Sequence, residues 1–214
     1  MIESDLIPAD HKRALESVVR DLQVRFQGVF GRETIEDMVL DSYIKRAANA
    51  TVTTWLVVGT ERFARERLEA LVHAADHSTT RLPAVLFLCT HNAGRSQMAL
   101  GWFTHLAGDH AIAWSGGSEP ESEINHGAVA AMAEVGIDIS EGFPKPWTNE
   151  VVQAADVVVT MGCGDACPLV PGKRYEDWEI DDPAGKSLAD IRPVRDEIGE
   201  RVRDLLTRLD IVSA

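Results

Sequence analysis

The chain has 214 residues, of which 45% are apolar and 26% are charged, an ordinary composition for a globular protein with a substantial core. The formal net charge of −13 argues against a nucleic-acid surface, because phosphate backbones are bound by clustered Lys and Arg. Residues 1–5 lack the positive charge and the apolar run of a secretory signal, and no stretch approaches the roughly 18 apolar residues of a membrane span. We therefore expect a cytoplasmic protein without a membrane partner, and its three cysteines fit a reducing compartment.

The first third of the chain predicts three amphipathic helices. The second of these helices is predicted to begin at Thr34, and the third is predicted to end near Ala75. Short connections between such helices favour a small antiparallel bundle, so we predict an N-terminal three-helix domain over residues 1–79, without a catalytic motif. The first helix has apolar residues at helical spacing and ends near Gly28: Leu15, Val18, Val19, Leu22 and Phe26.

Two histidines, His73 and His77, lie four residues apart near the end of the third helix. Two imidazoles at this spacing could bind a metal ion, but a third ligand is not evident. We interpret both as solvent-exposed or helix-capping side chains, because basic groups are favourable near a helix C-terminus. We expect no metal and no cofactor.

After a polar linker the pattern changes, and residues 80–214 predict an α/β domain. Residues 84–88 form a continuous apolar run, as expected of a strand buried on both faces. Alternation of strands and helices predicts a parallel sheet flanked by helices, with ligands bound beyond the carboxyl ends of the strands. The further predicted elements are helices over 95–106, 128–135 and 191–209 and strands over 111–114 and 156–160.

The segment after the first predicted strand, residues 89–96, has the sequence CTHNAGRS. A Cys, five residues, then Arg and Ser between a strand and a helix indicate a phosphate-type cradle, because successive backbone N–H groups converge on one oxyanion and the helix points its positive end there. The alternative, a structural Cys beside an incidental Arg, does not account for the spacing. We predict that the substrate-binding residues are Thr90, His91, Asn92, Ala93, Gly94 and Arg95, with the Arg95 guanidinium as a bidentate clamp.

The same cradle predicts a nucleophile at Cys89. Backbone N–H groups, a helix N-terminus and Arg95 all favour a thiolate, which is the nucleophilic form of cysteine. The Ser96 hydroxyl can donate a hydrogen bond to that thiolate, and Gly94 permits the tight backbone path.

This loop resembles that of low-molecular-weight tyrosine phosphatases and of the arsenate reductases that share their fold. The resemblance covers residues 84–209 and extends to SQMA at 96–99, SGG at 115–117, GIDIS at 136–140 and ADVVVTM at 155–161. It implies the phosphatase-like fold for the second domain, and it implies that Asn92 braces the loop.

The resemblance also implies a general acid. In both groups of enzymes an Asp followed by Pro protonates the departing oxygen, and Asp182-Pro183 fits that role, with Asp181 as a neighbouring alternative. Phosphatases usually continue into aromatic residues that line a phosphotyrosine slot. Here residues 184–186 are Ala-Gly-Lys, so we expect that slot to be absent.

Two further cysteines, Cys163 and Cys167, favour the reductase. Thioredoxin-linked arsenate reductases resembling this chain carry two extra cysteines in this region, commonly further apart. Reduction of As(V) to As(III) takes two electrons, which a thiol pair supplies and a single phosphatase Cys does not. A zinc site is a poor alternative, because only two thiols cluster and no His is near in sequence.

The resemblance therefore implies a three-cysteine relay. Cys89 attacks arsenate, Cys163 attacks the Cys89 sulfur and releases arsenite, and Cys167 then attacks Cys163. Thioredoxin or a related dithiol would reduce the Cys163–Cys167 disulfide. The alternatives are a tyrosine phosphatase and a three-thiol arsenite sensor without catalytic turnover.

Overall fold

Helices precede the strands in the computed structural model of this protein, which describes residues 7–48, 55–162 and 170–211. The chain divides into two compact units, Met1–Val72 and His73–Ala214. The domain boundary at residue 79, a few residues further along, stays a prediction.

The first unit is built from amphipathic helices. The second helix begins at Arg32 with Gly31 as its N-cap, so the predicted start at Thr34 is wrong and Thr34 lies inside the first turn. Apolar side chains from all the helices of this unit form one buried cluster, which includes Leu22, Ile35 and Leu68. The helices are α1 (Ala9–Arg25), α2 (Arg32–Ala47) and α3 (Leu56–Ala75), the last of which crosses the division between the units.

The second unit alternates strands and helices, as its sequence predicts. The strands are β1 (Ala84–Cys89), β2 (Ile112–Gly117), β3 (Val157–Met161) and β4 (Arg174–Asp177), and the helices are α4 (Arg95–Ala107), α5 (His126–Ala133), α6 (Asn149–Ala154) and α7 (Leu188–Arg208).

The four strands form one parallel sheet in the order β2-β1-β3-β4. Every residue of β1 is buried, which explains its unbroken apolar sequence and its central place. The main core lies between one face of the sheet and helices α4, α5 and α7, and includes Phe87, Phe103 and Ile198. Because all strands are parallel, their carboxyl ends share one edge, and the β1–α4 loop lies at that edge.

Strand β4 and helix α6 are short elements that were not predicted. Strand β4 has the sequence RYED and lies at the edge of the sheet, where none of its residues is fully buried. It therefore lacks the apolar run from which a buried strand is predicted. Helix α6 has only six residues, too few for a helical period to stand out.

The interpretation of His73 as an exposed or capping residue is wrong. Its ring packs edge-on against Trp114 at a centroid distance of 5.7 Å, and the side chain is buried. The Arg81 guanidinium bridges the imidazole and the Asp156 carboxylate, and that carboxylate also accepts a hydrogen bond from the backbone N–H of Ala84, at the start of β1. These contacts pack residues 73–81 against the end of the sheet where β1 and β3 begin, opposite the end that carries the β1–α4 loop.

No helix in the described ranges is long and apolar enough to cross a membrane.

We predict that a fragment of residues 73–214 folds and is more stable than a fragment of residues 80–214, by about 1–2 kcal/mol in the free energy of unfolding. Loss of the buried ring contact with Trp114 and of its hydrogen bond is of that size. Urea unfolding followed by tryptophan fluorescence measures the difference. His73→Ala in the longer fragment is the matched control and should remove it; equal stabilities of the two fragments would contradict the assignment.

The same comparison has a pH dependence. Burial, and then the neighbouring Arg81 charge, lower the pKa of His73 from its ordinary value of 6.5. The folded state therefore disfavours the imidazolium, so the stabilisation by His73 is fully present above pH 6.5 and is lost as the pH falls through and below that value. The stability difference between the fragments should shrink in that direction.

Candidate active site

Cys89 is the last residue of the central strand β1. It pairs in register with Gly117 at the end of β2 and with Met161 at the end of β3, so three strand ends meet around it. The side chain is only 2% exposed. The loop of residues 90–94 turns directly into α4, which begins at Arg95, in the strand-loop-helix arrangement that the sequence predicts.

The Cys89 sulfur has two hydrogen-bonding neighbours among the described residues. The backbone N–H of Asn92 donates to Sγ at 3.2 Å, and the Ser96 Oγ lies 3.0 Å from Sγ. The Asn92 Nδ2 donates to that same Ser96 Oγ at 2.9 Å, so the hydroxyl hydrogen of Ser96 remains for the sulfur. Two polar hydrogens are therefore directed at one sulfur.

Asn92 is fully buried and adopts φ = 49°, the left-handed region, which is unfavourable for most residues other than glycine but which asparagine tolerates better than they do. Its Oδ1 accepts a hydrogen bond from the backbone N–H of Lys145 at 3.0 Å. Because a backbone N–H can only donate, this contact fixes which end of the amide is oxygen and directs Nδ2 towards Ser96. The Asn92 side chain thus joins the segment at Lys145 to Ser96, which is the kind of contact that the bracing role implied by the resemblance requires.

Arg95 is the first residue of α4 and lines the same cleft as Cys89, with 9% of its side chain exposed. Its Nη2 donates to Asp182 Oδ2 at 2.7 Å and its Nη1 to the carbonyl of Ile180 at 3.2 Å. The neighbouring carboxylate, Asp181, is 82% exposed and pairs with Lys186 at 2.7 Å. Of the two acids that the sequence offers, Asp182 is the one placed at the cradle.

Two glycines allow the loops around Arg95 to approach closely. A Cβ on Gly94 would lie 2.6 Å from Cγ of Pro183, so the residue after Asp182 packs directly against the cradle. Gly162 has φ = 72°, and a Cβ there would lie 2.8 Å from Arg95 Nη1. The Gly162 carbonyl also accepts a hydrogen bond from Thr90 Oγ1 at 2.9 Å, which joins the end of β3 to the cradle.

A cleft of about 320 Å³ opens onto these groups, which is ample for a tetrahedral oxyanion. Its described lining includes Cys89, Arg95 and Asp182, together with the carboxylates Glu121 and Glu123. His91 and Ala93, both predicted to bind substrate, also line the cleft. The His91 Nδ1 lies 3.1 Å from the carbonyl oxygen of Glu119, which can only accept, so that nitrogen carries the proton.

The other two predicted catalytic residues, Cys163 and Cys167, lie outside the described residues. Gly162, which is described, precedes Cys163 in the sequence. Among the described residues, no group of three or more His, Cys, Asp or Glu side chains is arranged to hold a metal ion.

The groups that support the loop from behind were not predicted. Gln97 is 2% exposed, and its Nε2 donates to the carbonyl oxygen of Asn92 at 3.0 Å. The sequence could have indicated this role, because Gln97 is a polar residue that directly follows the Arg-Ser pair and precedes apolar residues of the helix. The backbone contact from Lys145 had no such signal, because it joins segments 53 residues apart.

Comparison with known proteins agrees with this geometry. Residues 84–212 match the family described as low molecular weight phosphotyrosine protein phosphatase, and residues 15–72 match a protein-tyrosine-phosphatase-like N-terminal domain. Among curated relatives, arsenate reductase 2 of Staphylococcus saprophyticus is 42% identical over 123 residues, which span 56% of this chain and 92% of that protein. The arsenate reductase of Halalkalibacterium halodurans is 44% identical over 129 residues, spanning 56% and 91%.

A solved structure extends the similarity to both units. The thioredoxin-dependent arsenate reductase of Corynebacterium glutamicum superimposes with a TM-score of 0.83 and 40% identity, covering 94% of this chain and 98% of that one. The similarity to the Corynebacterium glutamicum arsenate reductase runs along nearly the whole chain, and the chain belongs to the low molecular weight phosphotyrosine protein phosphatase family.

Proposed function

We propose that this protein reduces arsenate to arsenite, with Cys89 as the nucleophile and thioredoxin or a related dithiol as the electron donor. The observation that carries the proposal is the buried Cys89 sulfur with two hydrogen-bonding neighbours, at the base of a cleft that also holds Arg95 and Asp182. Relatives named arsenate reductase support arsenate as the substrate, and the thioredoxin-dependent relative supports the donor. The proposal places the reaction in the cytoplasm, where thiols are kept reduced.

In the first step the oxyanion binds in the loop of residues 90–95, with the Arg95 guanidinium on two of its oxygens. The Cys89 thiolate attacks As(V) and forms a sulfur–arsenic bond. Asp182 donates its proton to the oxygen that departs as water. Ser96 and the backbone N–H of Asn92 hold the sulfur in position for the attack.

In the second step the Cys163 thiolate attacks the Cys89 sulfur. The sulfur–arsenic bond breaks, its electron pair goes to arsenic, and arsenite leaves as As(III) while a Cys89–Cys163 disulfide forms. The Cys167 thiolate then attacks Cys163, which releases the Cys89 thiolate and leaves a Cys163–Cys167 disulfide. The external dithiol reduces that disulfide by exchange. The contacts of Gly162 with Arg95 and Thr90 support this route, because they hold the residue before Cys163 against the cradle.

Tyrosine phosphatase activity is the second candidate, favoured by the family match. The described lining of the cleft, however, contains no Phe, Tyr or Trp to stack on a phosphotyrosine ring. We therefore propose arsenate reduction as the main activity.

We predict that Cys89→Ser lowers arsenate-dependent NADPH oxidation, coupled through thioredoxin and thioredoxin reductase, by at least about a thousandfold. The substitution removes the nucleophile and keeps the side-chain shape. Circular dichroism should match that of the parent protein, and hydrolysis of p-nitrophenyl phosphate, measured in parallel, should be the slower activity in the parent. Substantial arsenate turnover by Cys89→Ser would show that another group attacks arsenic.

A second prediction separates the two neighbouring acids. Asp182→Asn should slow arsenate turnover by about 10²–10⁴-fold, because a positioned general acid is lost while the contact with Arg95 keeps its shape. Asp181→Asn removes the same charge one residue away and should leave the rate within about threefold, since Asp181 pairs with Lys186 at the surface. A larger effect for Asp181→Asn would reverse the assignment.

A third prediction concerns the order of the thiols. Cys167→Ser should stop after one turnover with Cys89 joined to Cys163, because the thiol that resolves this disulfide is missing. Peptide mapping of the non-reduced protein after incubation with arsenate identifies the pair. Cys163→Ser is the matched control and should give no Cys89–Cys167 disulfide. Sustained turnover by Cys163→Ser, with Cys89 joined to Cys167, would mean that Cys167 attacks first.

A further inference from the structure

The side-chain amide of Gln97 lies behind the cradle, away from the cleft. Its Nε2 is within hydrogen-bond distance of three oxygens: the carbonyl of Asn92 at 3.0 Å, the Asn92 Oδ1 at 3.3 Å and the carbonyl of Phe143 at 3.3 Å. The residue is 2% exposed, and Gly142 leaves room for it, because a Cβ there would lie 2.8 Å from Gln97 Oε1. One buried amide thus joins the loop, the start of α4 and the segment around residue 143.

Two of these contacts are with Asn92, whose backbone is left-handed. Gln97 donates both to the main-chain oxygen and to the side-chain oxygen of that residue. The backbone N–H of Lys145 donates to the same side-chain oxygen. The Asn92 amide therefore cannot turn over without breaking hydrogen bonds inside the protein, where no water replaces them.

The orientation of Asn92 determines what reaches the nucleophile. Its Nδ2 donates to Ser96 Oγ at 2.9 Å, and Ser96 Oγ lies 3.0 Å from the Cys89 sulfur. These contacts form a chain of hydrogen bonds: Gln97 donates to the Asn92 side chain, Asn92 donates to Ser96, and Ser96 donates to the Cys89 sulfur. Each donor in such a chain is polarised by the one before it, which strengthens the last hydrogen bond.

We propose that Gln97 is a positioning residue for the nucleophile: it holds the Asn92 amide so that the Ser96 hydroxyl hydrogen is directed at Cys89. The inference rests on the proposed role of Cys89 in arsenate reduction and deepens it. Gln97 does not line the cleft, so it acts on the thiolate and has no contact with the substrate.

The test measures thiolate formation without arsenate. In the Cys163→Ser, Cys167→Ser background Cys89 is the sole thiol, and its alkylation by iodoacetamide is followed from about pH 5 to about pH 10, a range that brackets the ordinary cysteine pKa. Gln97→Met, which keeps the length and removes the donor, should raise the pH of half-maximal alkylation by about half a unit to one unit. The rate on the upper plateau should stay within about twofold, because the fully formed thiolate is equally accessible.

Gln153→Met, at an exposed position on α6, is the matched control and should leave the midpoint unchanged.

A double-variant comparison separates this role from a general weakening of the fold. In an Asn92→Ala background, Gln97→Met should cause no further shift, because the route to Ser96 is already broken. If Gln97→Met does not fold, Gln97→Leu takes its place, since it also fills the site with an apolar side chain that has no donor; the midpoint should again rise. An unchanged midpoint in the folded variant, or a shift that persists in full without Asn92, would overturn the inference.

Outcomes for the two proposals can be told apart. A shifted alkylation midpoint in a protein that does not reduce arsenate would overturn the proposed function and leave the role of Gln97 standing. Full arsenate turnover together with an unshifted midpoint in Gln97→Met would overturn the role of Gln97 alone. With both correct, Gln97→Met lowers kcat/KM for arsenate by about 3–10-fold at pH values below the alkylation midpoint of the parent, and the loss recovers as the pH is raised above that midpoint.

Discussion

The site depends on one physical constraint: a buried sulfur can hold negative charge only if hydrogen-bond donors replace the water it has lost. Cys89 is buried at the end of the central strand, and the protein supplies the backbone N–H of Asn92 and the hydroxyl of Ser96. Both depend on Asn92, whose backbone carries one donor and whose side chain orients the other. The left-handed conformation of Asn92 is a local cost that the surrounding hydrogen bonds offset.

The parallel sheet brings the remaining groups to this sulfur. Because the strands run in one direction, the loops after β1, β2 and β3 leave from one edge, and Cys89 pairs with residues at the ends of both neighbouring strands. The loop after β4 carries Asp182 to Arg95. Gly162, directly after β3 and directly before Cys163 in the sequence, accepts a hydrogen bond from Thr90 of the cradle. Separate segments of the chain thus meet at one sulfur, with the core of α4, α5 and α7 behind them.

The sequence predicts most of this arrangement where the signal is local. The strand at β1, predicted from its unbroken apolar run, and the start of α4 at Arg95 are confirmed, because each follows from neighbouring residues. The choice of Asp182 over Asp181 stays a prediction, although Asp182 is the one at Arg95. Strand β4 was not predicted because this edge strand has no apolar run. The burial of His73 was not predicted because the ring it packs against, Trp114, is distant in sequence. The same holds for the contact of Lys145 with Asn92: long-range packing leaves no pattern in one sequence.

The central claim is that the chain supplies both electrons from its own thiols. The most direct test is a single-turnover measurement on the fully reduced protein with arsenate in excess and no external thiol, in which arsenite and free thiols are counted per chain. Our account predicts one arsenite formed and two of the three thiols lost, with no arsenite from the Cys163→Ser, Cys167→Ser variant. Arsenite formation by that variant on addition of a small thiol, at the rate of the parent protein, would contradict the internal relay.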